Sequence, residues 1–93
     1  MLIIEDNRDY GSGLKLVFEL RGHTVSLEYD GAAGIAAALR EPPEVVICDL
    51  GLPGVDGFEV ARALRQHPLT ARAFLVAVTG YGSDADRERA LAS

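Results

Sequence analysis

Tryptophan is absent from this chain, lysine occurs once (Lys15), cysteine once (Cys48) and histidine twice (His23 and His67). A lone cysteine closes no internal disulfide, and neither histidine has the neighbours of a metal ligand or a catalytic base. Positive charge is short as well: nine Lys and Arg stand against fourteen Asp and Glu, for a net charge of −5. The basic residues are scattered, which argues against a phosphate-tracking surface and so against direct nucleic-acid binding. No apolar run reaches membrane-spanning or signal-peptide length, so the expectation is a cytoplasmic protein with no membrane segment. Repeats, low-complexity tracts and linkers are missing too.

What is present fits one small globular domain, with 93 residues, 48% of them hydrophobic, and ten glycines. "LII" followed by Glu5 is a short apolar strand. "DYGSGLKLVFELRG" then places Leu14, Val17, Phe18 and Leu20 at helical spacing, with Gly22 as its stop and with first turns loosened by Gly11 and Gly13. Thr24 to Tyr29 alternate as a strand with Val25, Leu27 and Tyr29 on one side. Asp30 offers an N-cap for the helix "GAAGIAAALR", which Pro42 and Pro43 end. "EVVICDL" reads as a strand buried on both faces, "FEVARALRQ" as a helix, and "FLVAVT", Phe74 to Thr79, as a fourth strand. Ser83 and Asp86 have the form of a capping box for a last helix. Strands alternating with helices predict an α/β, doubly wound parallel sheet, with ligands beyond the carboxyl ends of the strands.

That rule gathers the acids. Glu5 and Asp6 end the first strand, Asp49 the third, and Thr79 the fourth. Two adjacent carboxylates repel by roughly 1 kcal/mol in water and about 4 kcal/mol at the effective dielectric of a surface pocket. Taken singly, Glu5 and Asp6 read as a solvated turn and helix cap, Asp49 as a turn former before Gly51, and Thr79 as a β-former. Taken together, three carboxylates around one small volume read as a cation site. An all-oxygen set suits Mg²⁺, and a carboxylate beside Mg²⁺ can attack a phosphoryl group. Asp49, alone at the end of the central strand, is the better placed nucleophile. Cys48 points to the opposite face as a small buried hydrophobe.

On these residues the chain resembles the receiver domain of bacterial two-component response regulators. The acidic doublet after "LII", Asp49 in "VVICDLGLPGVDGFEVARALR", Thr79 in "LVAVTGYG", and Pro53 and Gly57, four and eight residues after Asp49, carry the resemblance over essentially the whole chain. It implies a flavodoxin-like fold of strand order 2-1-3-4. It also implies Mg²⁺ held by Glu5, Asp6, Asp49 and the backbone carbonyl of Gly51. Asp49 would accept phosphate from a histidine kinase or phosphotransfer protein, and Thr79 would contact a phosphoryl oxygen and move with it. Adding about −1.5 to −2 charges there biases a two-state surface. "TGYG" and "EDNRD" are also similar to receivers attached to hybrid histidine kinases.

The chain departs from that pattern after Thr79, with 14 residues left (93 − 79). The family continues through a fifth strand, preceded by a phosphate-pairing lysine, and a fifth helix, whereas the only lysine here is Lys15. The expectation is a domain truncated after its fourth helix, with a site that loads but couples weakly to the family's output face. "FLVAVT" would then be an apolar edge open to a homodimer partner, unless the chain is a trimmed part of a longer one. The alternative function is a degenerate receiver acting only as a docking or dimerisation module. A Mg²⁺-dependent phosphatase would want a second acid two residues beyond its nucleophile, where this chain has Gly51. No G-x-G-x-x-G loop follows the first strand to suggest nucleotide binding. The domain is therefore expected to turn over no external substrate.

Overall fold

A computed structural model describes residues 1–52 and 54–78. Pro53, Thr79 and the helix expected after Ser83 lie outside the described residues. In chain order the elements are β1 (Leu2–Ile4), α1 (Arg8–Leu20), β2 (Ser26–Glu28), α2 (Gly31–Arg40), β3 (Val45–Asp49), α3 (Gly57–Gln66) and β4 (Phe74–Val78). All strand pairs are parallel, in the order β2-β1-β3-β4.

Strand alternation divides the core in two. Leu2, Ile4, Val46 and Cys48 project to the side packed by α2 and α3, where Ala37, Ala38, Val60 and Leu64 meet them. Ile3 and Ile47 project to the other side, against Val25 and the partly buried Leu14 and Phe18 of α1. β1 and β3 are therefore apolar on both faces, as continuous hydrophobic runs require. β2 is shorter than the expected Thr24–Tyr29, because β1 offers only Leu2, Ile3 and Ile4 as register partners for Ser26, Leu27 and Glu28.

The first helix differs from its sequence reading. Gly11, Leu14 and Phe18 turn toward the sheet, while Val17 and Leu20 are 49% and 78% exposed. Its first turns are ordered, since the helix runs from Arg8 and Gly11 is buried; a Cβ on Gly11 would stand 3.0 Å from Leu27 Cδ1. Asn7 caps it, the side-chain oxygen accepting the Tyr10 N–H at 3.0 Å. Asp30 caps α2 as expected, accepting from the Ala33 N–H at 2.7 Å. Asp56 does the same for α3, accepting from the Glu59 N–H at 3.0 Å. Past the end of α3, Arg65 Nη1 donates to the carbonyls of Ala71 and Ala73, both at 2.7 Å. The buried Thr70 hydroxyl donates to the Leu64 carbonyl, also at 2.7 Å. These bonds fasten the turn that leads into β4.

Candidate functional site

Parallel pairing aligns the carboxyl ends of β1 and β3. Ile4 is in register with Cys48, so the next residues, Glu5 and Asp49, face each other beyond the last rung. Asp6 follows, exposed, and one carboxylate oxygen from each of Glu5, Asp6 and Asp49 lies within 4.8 Å of the others. Glu5 and Asp49 are each only 7% exposed. Because Asn7 takes the capping role, neither Glu5 nor Asp6 is spent on α1.

Backbone groups orient the two buried acids. The Asn7 N–H donates to Glu5 Oε1 at 3.2 Å, and the Gly51 N–H donates to Asp49 Oδ1 at 2.9 Å. Burial pushes the Glu5 carboxyl up from 4.5 to about 7, outweighing the Asn7 N–H, with the Asp49 charge, a hydrogen bond to Asp49 and the Asp6 charge adding to the rise. In metal-free protein Glu5 thus keeps its proton up to about pH 7. Cys48, one residue earlier, is 8% exposed in the α2/α3 core, and its thiol is pushed up to about 12 by burial and then by the Asp49, Glu5 and Asp56 charges. It is a packing residue, as its place in the strand predicted.

The sign of the pH dependence follows from Glu5. Its folded value lies above its unfolded one, so the stability it contributes is fully present below pH 4.5 and is lost as pH rises through about 7. In metal-free buffer the urea midpoint is expected to fall across that window, and Glu5→Gln should flatten the fall. An unchanged slope in the variant would assign the proton elsewhere.

Of the residues singled out from sequence, Glu5, Asp6 and Asp49 converge, and Gly51 is tied to Asp49. Val78 pairs with Asp49 at the last β3–β4 rung, and the Leu50 N–H donates to the Val78 carbonyl at 3.1 Å. Thr79 is the next residue in the chain but lies outside the described ones. Two features escaped sequence reasoning. Arg8 stacks on Tyr29, its Cζ 4.1 Å from the ring centroid, and three glycines of α2 and α3 make close backbone or core contacts described below. Gly57 had a sequence signal, its place eight residues after Asp49, whereas Gly31 and Gly34 stood unremarked in the Ala-rich helix "GAAGIAAALR".

The family model described as response regulator receiver domain matches residues 1–93. This chain belongs to the response regulator receiver domain family. The receiver is 37% identical over 70 residues to the response regulator ArlR of Staphylococcus epidermidis, spanning 75% of this chain and 32% of ArlR. It is 31% identical over 87 residues to the protein PilH of Pseudomonas aeruginosa, spanning 94% of this chain and 72% of PilH. The chain thus covers between about a third and two fifths of the ArlR proteins it matches. Among solved structures, the receiver domain of the sensor histidine kinase PA1611 from Pseudomonas aeruginosa superposes with a TM-score of 0.87 at 28% identity, over 94% of this chain and 71% of that one. That structure holds a magnesium ion coordinated in its active site cleft. Chemotaxis protein CheY4 of Vibrio cholerae, at 22% identity and a TM-score of 0.89 over 98% of this chain and 76% of that one, shares the fold. The flavodoxin-like receiver architecture expected from sequence is the one observed, as far as the described residues extend.

Proposed function

We propose that this receiver is a phosphoacceptor that takes a phosphoryl group onto Asp49 from the phosphohistidine of a kinase or phosphotransfer protein. The observation that carries the reading is the convergence of Glu5, Asp6 and Asp49 within 4.8 Å, with Asp49 buried at the end of β3. The donor set fits Mg²⁺: all oxygen, two acids partly desolvated, and one of them so unfavourable as an anion that it keeps its proton to about pH 7 without a cation. Glu5, Asp6, Asp49 and the Gly51 carbonyl would hold the ion. When bound, it would supply charge neutralisation for the phosphoryl oxygens.

The chain's own residues do the rest. Gly51 fixes Asp49 Oδ1, which orients the carboxylate. A carboxylate oxygen attacks phosphorus, the P–N bond breaks, and the imidazole leaves with the electron pair, so that an acyl phosphate forms on Asp49. Thr79, following the last rung of β4, is assigned the phosphoryl-oxygen contact and the switching movement. We read the domain as an acceptor with no external substrate to turn over.

Incubation with acetyl phosphate and Mg²⁺ is expected to add one phosphoryl group by intact mass, and EDTA to prevent it. Docking without phosphorylation is the second reading. A folded protein that gains no mass would overturn the first reading for this chain, and partner binding that persists in Asp49→Asn would support the second.

A further inference from the structure

The turn after Asp49 is bounded by two helix starts that carry no side chain. A Cβ on Gly31, the first residue of α2, would overlap the Val55 carbonyl oxygen and lie 3.1 Å from its carbon. Two residues beyond Val55, a Cβ on Gly57, the first residue of α3, would lie 2.6 Å from the Asp49 carbonyl oxygen and 2.7 Å from Leu50 Cα. The segment from Val55 to Gly57 is thus held between the start of α2 and the backbone of Asp49 and Leu50.

We propose that Gly31 is a positioning residue for the metal-holding turn: the bare start of α2 bears on the Val55 carbonyl and thereby sets where α3 begins against Asp49 and Leu50. This rests on the metal reading given above.

Neither contact can be relieved by a rotamer change, because backbone meets backbone at both ends. Sideways escape at Gly31 is closed by Val60, which is 1% exposed and whose Cγ2 would stand 3.0 Å from the added carbon. Retreat of α2 is opposed by Gly34, Ala37 and Ala38, all buried along its inner face. Asp56, through its cap on the Glu59 N–H, makes Val55 and the first turn of α3 move together. A methyl at position 31 therefore displaces the Val55–Gly57 segment, and with it the backbone next to the 2.9 Å bond from the Gly51 N–H to Asp49 Oδ1. Gly31 touches no ligand of the proposed ion, although it lies 18 residues before Asp49 (49 − 31).

The test is Mg²⁺ titration followed by calorimetry and by amide NMR. Gly31→Ala should weaken Mg²⁺ binding by about tenfold, the usual scale for a change behind the ligands. Thr70→Val serves as the control, since it removes the buried bond to the Leu64 carbonyl ahead of β4, at the opposite end of the sheet. It should lower stability and leave the Mg²⁺ affinity at the wild-type value. In wild-type protein, where no variant need fold, the Gly31 amide should shift with the same Mg²⁺ midpoint as Gly51, while Gly34 on the same helix stays in place. Wild-type affinity in Gly31→Ala, an equal loss in Thr70→Val, or a stationary Gly31 amide would each overturn the positioning role while leaving the metal reading standing. A wild-type titration with no binding at all would remove both.

Discussion

If Asp49 is the acceptor proposed above, Asp49→Asn is expected to abolish phosphoryl uptake from acetyl phosphate, with a loss of about 10⁴-fold or more, the scale of removing a nucleophile. Among the described residues no neighbouring acid is placed to replace it. Glu5 is committed to the Asn7 N–H and retains a proton to about pH 7, and Asp6 is exposed. The fold should survive, because Asn preserves the shape and an oxygen for the Gly51 N–H. The same substitution tests the electrostatics. It deletes the Asp49 charge that helps raise Glu5, but not burial, which is the larger cause. Glu5 should consequently titrate below its wild-type value and above 4.5. In metal-free buffer above neutral pH the variant should be more stable than wild type by on the order of 1 kcal/mol. Intact mass reads the first outcome and urea unfolding across pH the second. Residual uptake at the wild-type level would move the acceptor to another residue.

Gly34→Ala should be strongly destabilising although alanine is the better helix former. The exchange gains about 1 kcal/mol in helix propensity. Against that, the new carbon would overlap Ile4 Cδ1 and stand 2.7 Å from Cγ1 and 3.1 Å from Cγ2. Ile4 is 0% exposed in a strand flanked by β2 and β3, so its side chain has nowhere to rotate. Overpacking of this kind costs about 3 kcal/mol. The net loss of about 2 kcal/mol lowers the melting temperature by about 10 °C in a domain of this size. Gly13→Ala provides the contrast, since nothing lies within 4 Å of its added carbon. That variant should gain up to about 1 kcal/mol. If Gly34→Ala proved as stable as Gly13→Ala, α2 would pack on β1 more loosely than described.

These two glycines show where sequence reasoning reached and where it stopped. Patterns that depend on a residue and its near neighbours were legible: the two-sided strand in "VVICD", the Asp30 cap, and the acids that close β1 and β3. The wider β2 estimate failed because strand length is decided by the partner, and β1 is three residues long. Leu14, Val17, Phe18 and Leu20 share helical spacing, but apolar spacing alone does not say which flank of a broad stripe meets the sheet, and Val17 and Leu20 stay exposed. Gly13 and Gly34 look alike to helix propensity, yet one faces open space and the other a buried isoleucine. The acidic site was visible as a set of residue types. The proton that Glu5 retains was not, because it arises from burial, which no local pattern encodes.

Arg65 links pieces that are separate in the order of elements. Its guanidinium closes both Ala71 and Ala73 onto the end of α3, and Thr70 adds a second tie to Leu64. Such cross-bracing makes α3, the turn and β4 one cooperative opening unit, with amides that exchange with solvent deuterium together and apart from those of α1. β4 ends level with Asp49. Loss of the brace would accordingly show as faster exchange along β4, with the α1 amides unchanged.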